Sequence, residues 1–390
     1  MPFIRKPLFF TTLLLVLIFI ALVSKPAISS SSQPTNVKLQ LFWHHQFEFA
    51  GFYAAIEQGY YRNVGLDVHV REYQNNEDLV AEVVSGRAQY GISDSSIIIH
   101  RGHGDPVLLL ANIFQHSPMV LLSRADTKIF SPAQMRGKSI MLSAHEQDNA
   151  SIIAMLNTES VNLQQMDVRE HSFNIDDFID GKVDIISGYA TNEPGVLKEK
   201  GFKFNMIDPI NYGIDFYGNN IFSSEQQVQE NPQQVSHFIA ASLKGWQYAL
   251  AHPDEIISLI LEKYSSDKSR SALAYEANAL KRFILPEHIP LGTIDPVRME
   301  RIIDTYKQFK MIPKESLLKG FIYQQSEVLD NSLQLSEIER RWIKQHPKVI
   351  IGIDPAWAPF EFINEQGKYS GMASDYIHLI AEKTGLEFEV

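Results

Sequence analysis

Trp43, His44, His45 and Gln46 stand together in the string FWHHQ, an indole beside three hydrogen-bonding side chains. An indole offers a flat apolar face, and imidazole and carboxamide groups offer donors and acceptors at its edge. That set suits a planar, polar small molecule. Trp43 either stacks on such a molecule or lids the core. His44, His45 and Gln46, taken singly, are as readily surface groups. A second cluster is Ser93-Asp94-Ser95-Ser96. Hydroxyls and free backbone N–H groups where a helix starts hold polar or anionic groups, but Asp94 or Ser95 equally caps the helix. A third is Tyr189 through Glu193. Asn192 or Thr191 caps a helix there, and Glu193 in its first turn suits the dipole. Alternatively the Glu193 carboxylate faces a cleft and accepts from a ligand amino group, a bond roughly twice as strong as a neutral one. Tyr189 would wall that pocket, and Asp215 and Asn219 are weaker members of the set. His44 with His45, or His100 with His103, lacks a carboxylate or cysteine at ligand spacing, so capping or solvated roles are preferred to a metal site. No metal or cofactor is expected.

These residues need a scaffold that delivers them to one edge. Residues 37–42 read as an apolar strand, 49–60 as a helix on Phe49, Phe52, Tyr53, Ile56 and Tyr60, and 66–71 as an alternating strand after Gly65. That is a right-handed parallel βαβ unit, and its ligand edge lies beyond the carboxyl ends of the strands, where Trp43 falls. The rhythm continues with a helix over 76–84 capped by Asn76, strands over 90–92, 107–113 and 119–123, and a second α/β run over 131–211. In that run 138–142 and 183–187 are strands, 143–148 is a polar turn, and 150–156 and 173–179 are helices. Residues 216–222 carry the chain back. Two crossings make a hinge between two lobes, the arrangement of a clamshell that closes on a solute. Helices over 235–250, 253 onward and 295–309 follow, with Phe238, Ala241, Trp246 and Leu250 forming an apolar stripe.

The string FAGFYAAIEQGYYRNVGLDV resembles the opening of periplasmic solute-binding proteins of the thiamine-pyrimidine-precursor class, relatives of the sulfonate and taurine binders and of a eukaryotic pyrimidine-precursor synthase. The similarity extends over about 37–311. It implies an α/β fold of the type II periplasmic-binding-protein kind, with parallel sheets flanked by helices, and an aromatic ring at the Trp43 position stacked on a heterocycle. The eukaryotic relatives build the pyrimidine from a lysine-bound pyridoxal phosphate and one of their own histidines. At the corresponding places this chain has Ser93 and Ile97, and it has no cysteine cluster. A Schiff base requires an amine, so the expectation is binding, not synthesis.

Composition agrees. With 45% hydrophobic and 21% charged residues the 390-residue chain is globular and long enough for two or more domains. A formal charge of −11 disfavours nucleic acid or an anionic membrane surface as partner. The lack of cysteine removes disulfides and thiolate chemistry. Arg5 and Lys6, an apolar run over 8–23 and a Ser-rich exit form the three-part pattern of a secretory signal or an inner-membrane anchor over residues 1–30. The expected location is therefore periplasmic. The solute-binding domain is expected over 37–325, with lobe 1 at 37–123 and 219–325 and lobe 2 at 124–218.

Residues 326–347 read as a helical linker, with Ser336 and Glu339 at capping-box spacing. Residues 348–390 resemble the first part of a second solute-binding domain of the polar-amino-acid type, too short to bury a core of their own. The chain is expected to stop inside that domain. A linker leading into such a domain resembles the sensory region of bacterial membrane kinases and cyclic-dinucleotide enzymes. The implied role is sensory input to a membrane signalling module in the same chain. The alternative is the receptor of an ABC permease.

Overall fold

The computed structural model describes residues 33–74, 77–143, 150–264, 268–314, 319–324 and 337–390. The expectations for the signal segment, the Asn76 and Ser336 caps, most of the 143–148 turn and the start of the linker fall outside them. The chain forms two compact units, divided between Ile322 and Tyr323.

The first unit is built on two five-stranded sheets. One contains β1 (Thr35–Gln40), β2 (Leu66–Arg71), β3 (Tyr90–Ser93), β4 (Val107–Phe114) and β10 (Gly218–Ser224), in the order β2-β1-β3-β10-β4. The other contains β5 (Met119–Arg124), β6 (Ser139–Leu142), β7 (Asp167–Glu170), β8 (Ile185–Tyr189) and β9 (Phe204–Ile207), in the order β7-β6-β8-β5-β9. β1 pairs parallel with β2 and β3, whereas β10 runs antiparallel to both neighbours. In the second sheet β6 is parallel to β7 and β8, and β5 is antiparallel to β8 and β9. The sheets are therefore mixed, not wholly parallel: the strands that cross between lobes, β5 and β10, enter their sheets against the grain.

Both crossings run side by side. Ser117 N–H donates to the Phe216 carbonyl (2.8 Å), and the Asp215 carboxylate accepts from His116 Nδ1 (2.6 Å) and Arg298 (2.9 Å). The helix Pro232–Ala251 packs across Ala50–Glu57 at a crossing where Gly245 meets the Gly51 carbonyl and Gly51 lies under the Trp246 ring. Leu250 does not belong to its buried stripe. Ser242, Gly245 and Ala249 do, because small residues let the two backbones approach.

Local chemistry moves several boundaries. Asp78 caps the helix Leu79–Val84 by accepting from Ala81 N–H. Asn174 caps Ile175–Ile179, so the helix expected from 173 begins two residues later and leaves Phe173 outside it, at φ 54° and 61% exposed. Asp295 caps Pro296–Gln308 by accepting from Val297 and Arg298 N–H.

The second unit contains the helix Glu337–Gln345, a parallel pair between β11 (Lys348–Ile350) and β15 (Glu387–Glu389), an antiparallel meander of β12 (Ala356–Trp357), β13 (Glu361–Ile363) and β14 (Tyr369–Ser370), and the helix Met372–Thr384. Trp357, Phe360, Tyr376 and Ile380 are exposed on it. No helix among the described residues is long and apolar enough to cross a membrane.

Candidate functional site

Beyond β1 the chain turns through Trp43 and Gln46 into a 3-10 turn, Phe47–Phe49, that leads directly into Ala50–Glu57. No side chain of the turn caps it. Glu276, from the helix Arg270–Ile284, does so instead: its oxygens accept the N–H groups of Phe47 (3.1 Å) and Glu48 (2.9 Å). A carboxylate there satisfies donors that lack an intrahelical partner and complements the dipole. Glu48 is itself buried, at 1% exposure. Its Oε2 accepts from Gln46 Nε2 (2.7 Å), and its carbonyl accepts from Asn219 Nδ2 (2.9 Å). These bonds fix both amides, since each nitrogen is committed and each oxygen is left over. Among the described residues Gln46 Oε1, Glu48 Oε1 and Asn219 Oδ1 are buried acceptors without a hydrogen-bond partner. Gln46 is thus tied to the Glu48 side chain and Asn219 to its backbone carbonyl.

Burial shapes its electrostatics. It pushes the Glu276 carboxyl up to about 7, against the pull of Lys268 and the two backbone N–H groups. Burial, and next the Glu276 charge, holds Glu48 well above the usual carboxylate range. Glu193 of the second lobe adds to both. Its carboxylate folds back to accept from Tyr189 N–H (2.5 Å) and Asn192 Nδ2 (2.8 Å) at the end of β8. Asn192 occupies the cap position of the helix Glu193–Glu199 without a side-chain capping bond. Its Oδ1 takes a bond from Lys268 Nζ, which joins the lobes. Thus Gln46, Asn219, Tyr189, Asn192 and Glu193 fall in one linked region.

Trp43 lies at the rim, half-buried and not sealed in the core. Its ring parallels Tyr73 (6.2 Å, 15°) and touches Phe173 of the second lobe (4.9 Å), which stacks on His171. The other expected residues have different partners. His44 is exposed and pairs with Glu72 (3.3 Å). His45 donates its backbone N–H to Glu72, and its ring bonds the Tyr53 hydroxyl (2.8 Å); burial lowers its pKa. Ser93 ends β3, buried, and Asp94 accepts from Ser96 N–H (2.8 Å) as a turn cap. Asp215 is engaged in the hinge pair with His116 and Arg298. His100 pairs with Asp105, and among the described residues no group of three or more histidine and acidic side chains could hold a metal ion.

Glu48, Glu276, Lys268 and Phe173 were not anticipated. Two left a signal. Glu48 is a lone charge between Phe47 and Phe49, and Glu276 stands three after Leu273 and four before Leu280, on the buried stripe of its helix. Lys268 and Phe173 come into place only through tertiary folding.

A profile described as NMT1/THI5 like matches residues 46–256, and one described as bacterial extracellular solute-binding proteins, family 3, matches 349–390. The formylaminopyrimidine-binding protein of Halalkalibacterium halodurans is 25% identical over 301 residues, covering 75% of this chain and 91% of that protein. The riboflavin-binding protein RibY of Chloroflexus aurantiacus is 28% identical over 240 residues, 60% of this chain and 68% of that protein. The sensor protein EvgS of Escherichia coli is 37% identical over 60 residues, 15% of this chain and 5% of its own length. The periplasmic aliphatic sulphonate binding protein SsuA from Escherichia coli superposes with a TM-score of 0.60 at 12% identity, over 78% of this chain and 96% of that one, which shows a shared periplasmic-binding-protein fold. With more than half its length matched by the profile, the chain belongs to the NMT1/THI5-like family of solute-binding proteins.

Proposed function

We propose that the first unit captures a small, planar, nitrogen-containing solute between its lobes, outside the cytoplasmic membrane, and releases it unaltered. One observation carries this: Gln46 and Asn219 both bond Glu48, each of the three residues keeps a buried side-chain oxygen without a partner among the described residues, and Gln46 stands three residues after the half-buried Trp43 indole. An unpaired buried acceptor costs about 1–3 kcal/mol, and a heterocycle with N–H groups on its edge satisfies such acceptors while its face lies on Trp43. Tyr189, Asn192 and Glu193 supply contacts from the second lobe. A solute touching both lobes favours the closed arrangement by its differential affinity for it. His44, Ser93, Asp94 and Asp215 serve the turn, the strand end, the cap and the hinge in this reading. Two relatives are named for planar nitrogen heterocycles, a formylaminopyrimidine and riboflavin, in support of this ligand class.

The biological role we favour is sensory input to a larger membrane protein. The family 3 match at 349–390 and the likeness to a sensor protein support it. The alternative is the receptor of an uptake transporter. Titration calorimetry with aminopyrimidines, riboflavin, taurine and amino acids tests the binding claim: saturable heat from a heterocycle is expected, and none from any heterocycle defeats it. Sequencing the gene beyond residue 390 tests the role. A membrane span with a kinase or cyclase domain is expected, and a stop codon there argues for transport.

A further inference from the structure

We infer that the pocket selects for positive charge: its preferred occupant is a planar cation of the amidinium or protonated aminoheterocycle class, bound through N–H groups to Glu48. This rests on the reading that the cleft holds a planar nitrogen-containing solute, and it specifies the charge of that solute's polar edge.

The argument is one of charge and donor count. Glu48 and Glu276 are 1% and 2% exposed, and Glu193 acts on both from the second lobe. Lys268 is a cation that acts on Glu48 and Glu276, and its ammonium already bonds Asn192. Glu276 has two backbone N–H donors and Glu193 has a backbone N–H and an amide. Glu48 has the least compensation. One amide donor reaches Oε2 and, among the described residues, nothing reaches Oε1. The free oxygens of Gln46 and Asn219, whose amide nitrogens bond Glu48, are acceptors too. A buried carboxylate is stable only with charge and donors opposite it. An amidinium supplies both, because its planar fork presents two parallel N–H bonds, the pattern that a carboxylate receives in bidentate fashion. A neutral carbonyl edge would set acceptor against the free amide oxygens of Gln46 and Asn219, and an anion would meet the buried carboxyl groups. Both clashes exclude competitors as effectively as the fit selects.

The test uses three isosteric planar probes on the full chain: benzamidine, benzamide and benzoate, followed by calorimetry and tryptophan fluorescence. Benzamidine is expected to bind about tenfold or more tighter than benzamide, the scale of one charge-assisted bond, and benzoate is expected not to bind. Glu48→Gln should remove most of that preference. Should Glu48→Gln fail to fold by circular dichroism, Glu193→Gln, at a half-buried position, should reduce it. Benzamide or benzoate binding as tightly as benzamidine overturns the inference. Saturable binding of neutral aminopyrimidine or riboflavin with none of benzamidine also overturns it, while leaving solute capture standing. Binding by no probe and no heterocycle defeats both.

Discussion

The Glu276 carboxylate accepts the backbone N–H of Glu48 at 2.9 Å across 228 residues of sequence. One bond therefore ties the first helix of the solute-binding unit to one of its last. The turn after β1 and the packing of the unit are the same structure at this point: the group that completes the turn also acts on the Glu48 carboxyl.

That coupling makes stability depend on pH. Burial raises the Glu276 carboxyl from 4.5 to about 7 in the folded chain. A group with a raised folded pKa gives stability that is fully present below the unfolded value and lost as pH rises through the folded one. Unfolding free energy should therefore fall between pH 4.5 and about 7, by up to about 3 kcal/mol from this group. His45 and His171, lowered from 6.5 by burial, act the other way, since their contribution is lost as pH falls through their folded values. Glu276→Gln removes this carboxyl together with its push on Glu48. Urea unfolding across this range should give a flatter profile in the variant, and an unchanged slope would contradict the assignment.

The crossing of Ala50–Glu57 with Pro232–Ala251 yields a second expectation. A Cβ on Gly51 would lie 2.2 Å from the Trp246 ring, and one on Gly245 would lie 2.1 Å from the Gly51 carbonyl. Trp246 is wholly buried and cannot swing away. Gly51→Ala or Gly245→Ala should each destabilise by about 1–3 kcal/mol or more, the cost of overpacking. Thermal melts followed by circular dichroism measure it, and an unchanged midpoint in both would mean that the helices are free to part.

Much of the architecture was legible because it rests on period and punctuation. The βαβ opening, the two crossings and the capped helices follow from alternation, 3.6 spacing and well-placed Asp, Ser and Pro residues. β7 was not anticipated: its residues, Asp-Val-Arg-Glu, are all exposed, and a polar edge strand carries no core pattern. Trp43, Gln46 and Glu193 were singled out because unusual residue types follow strand ends, and Asn219 because it lies on the return crossing. Glu276 and Lys268 were missed because their role depends on a helix from the far end of the chain folding back onto the first turn. Asp215 was selected for its type and proximity to the return crossing, but its partners, His116 and Arg298, come from separate segments.

The hinge pair makes a third expectation. Asp215 is held by His116 (2.6 Å) and Arg298 (2.9 Å), where both crossings run together. Asp215→Ala leaves a part-buried guanidinium short of its anion and should cost about 1–3 kcal/mol of stability. Solute affinity measured by calorimetry well below the melting point should change far less than stability. A variant that folds normally but no longer binds would return Asp215 to the pocket.

The last expectation concerns Trp43, whose indole borders Tyr73 in its own lobe and Phe173 in the other. Truncation removes the aromatic face and its buried area, so Trp43→Ala should weaken binding of a heterocyclic solute by about 1–3 kcal/mol. Trp43→Phe, which keeps a smaller face, should lose less. Because the ring is at the rim and not in the core, the unfolding midpoint should move little in either variant. Equal solute affinity in wild type and Trp43→Ala would place the ligand elsewhere. A large drop in stability together with affinity would mean that the ring supports the lobe and does not grip the solute.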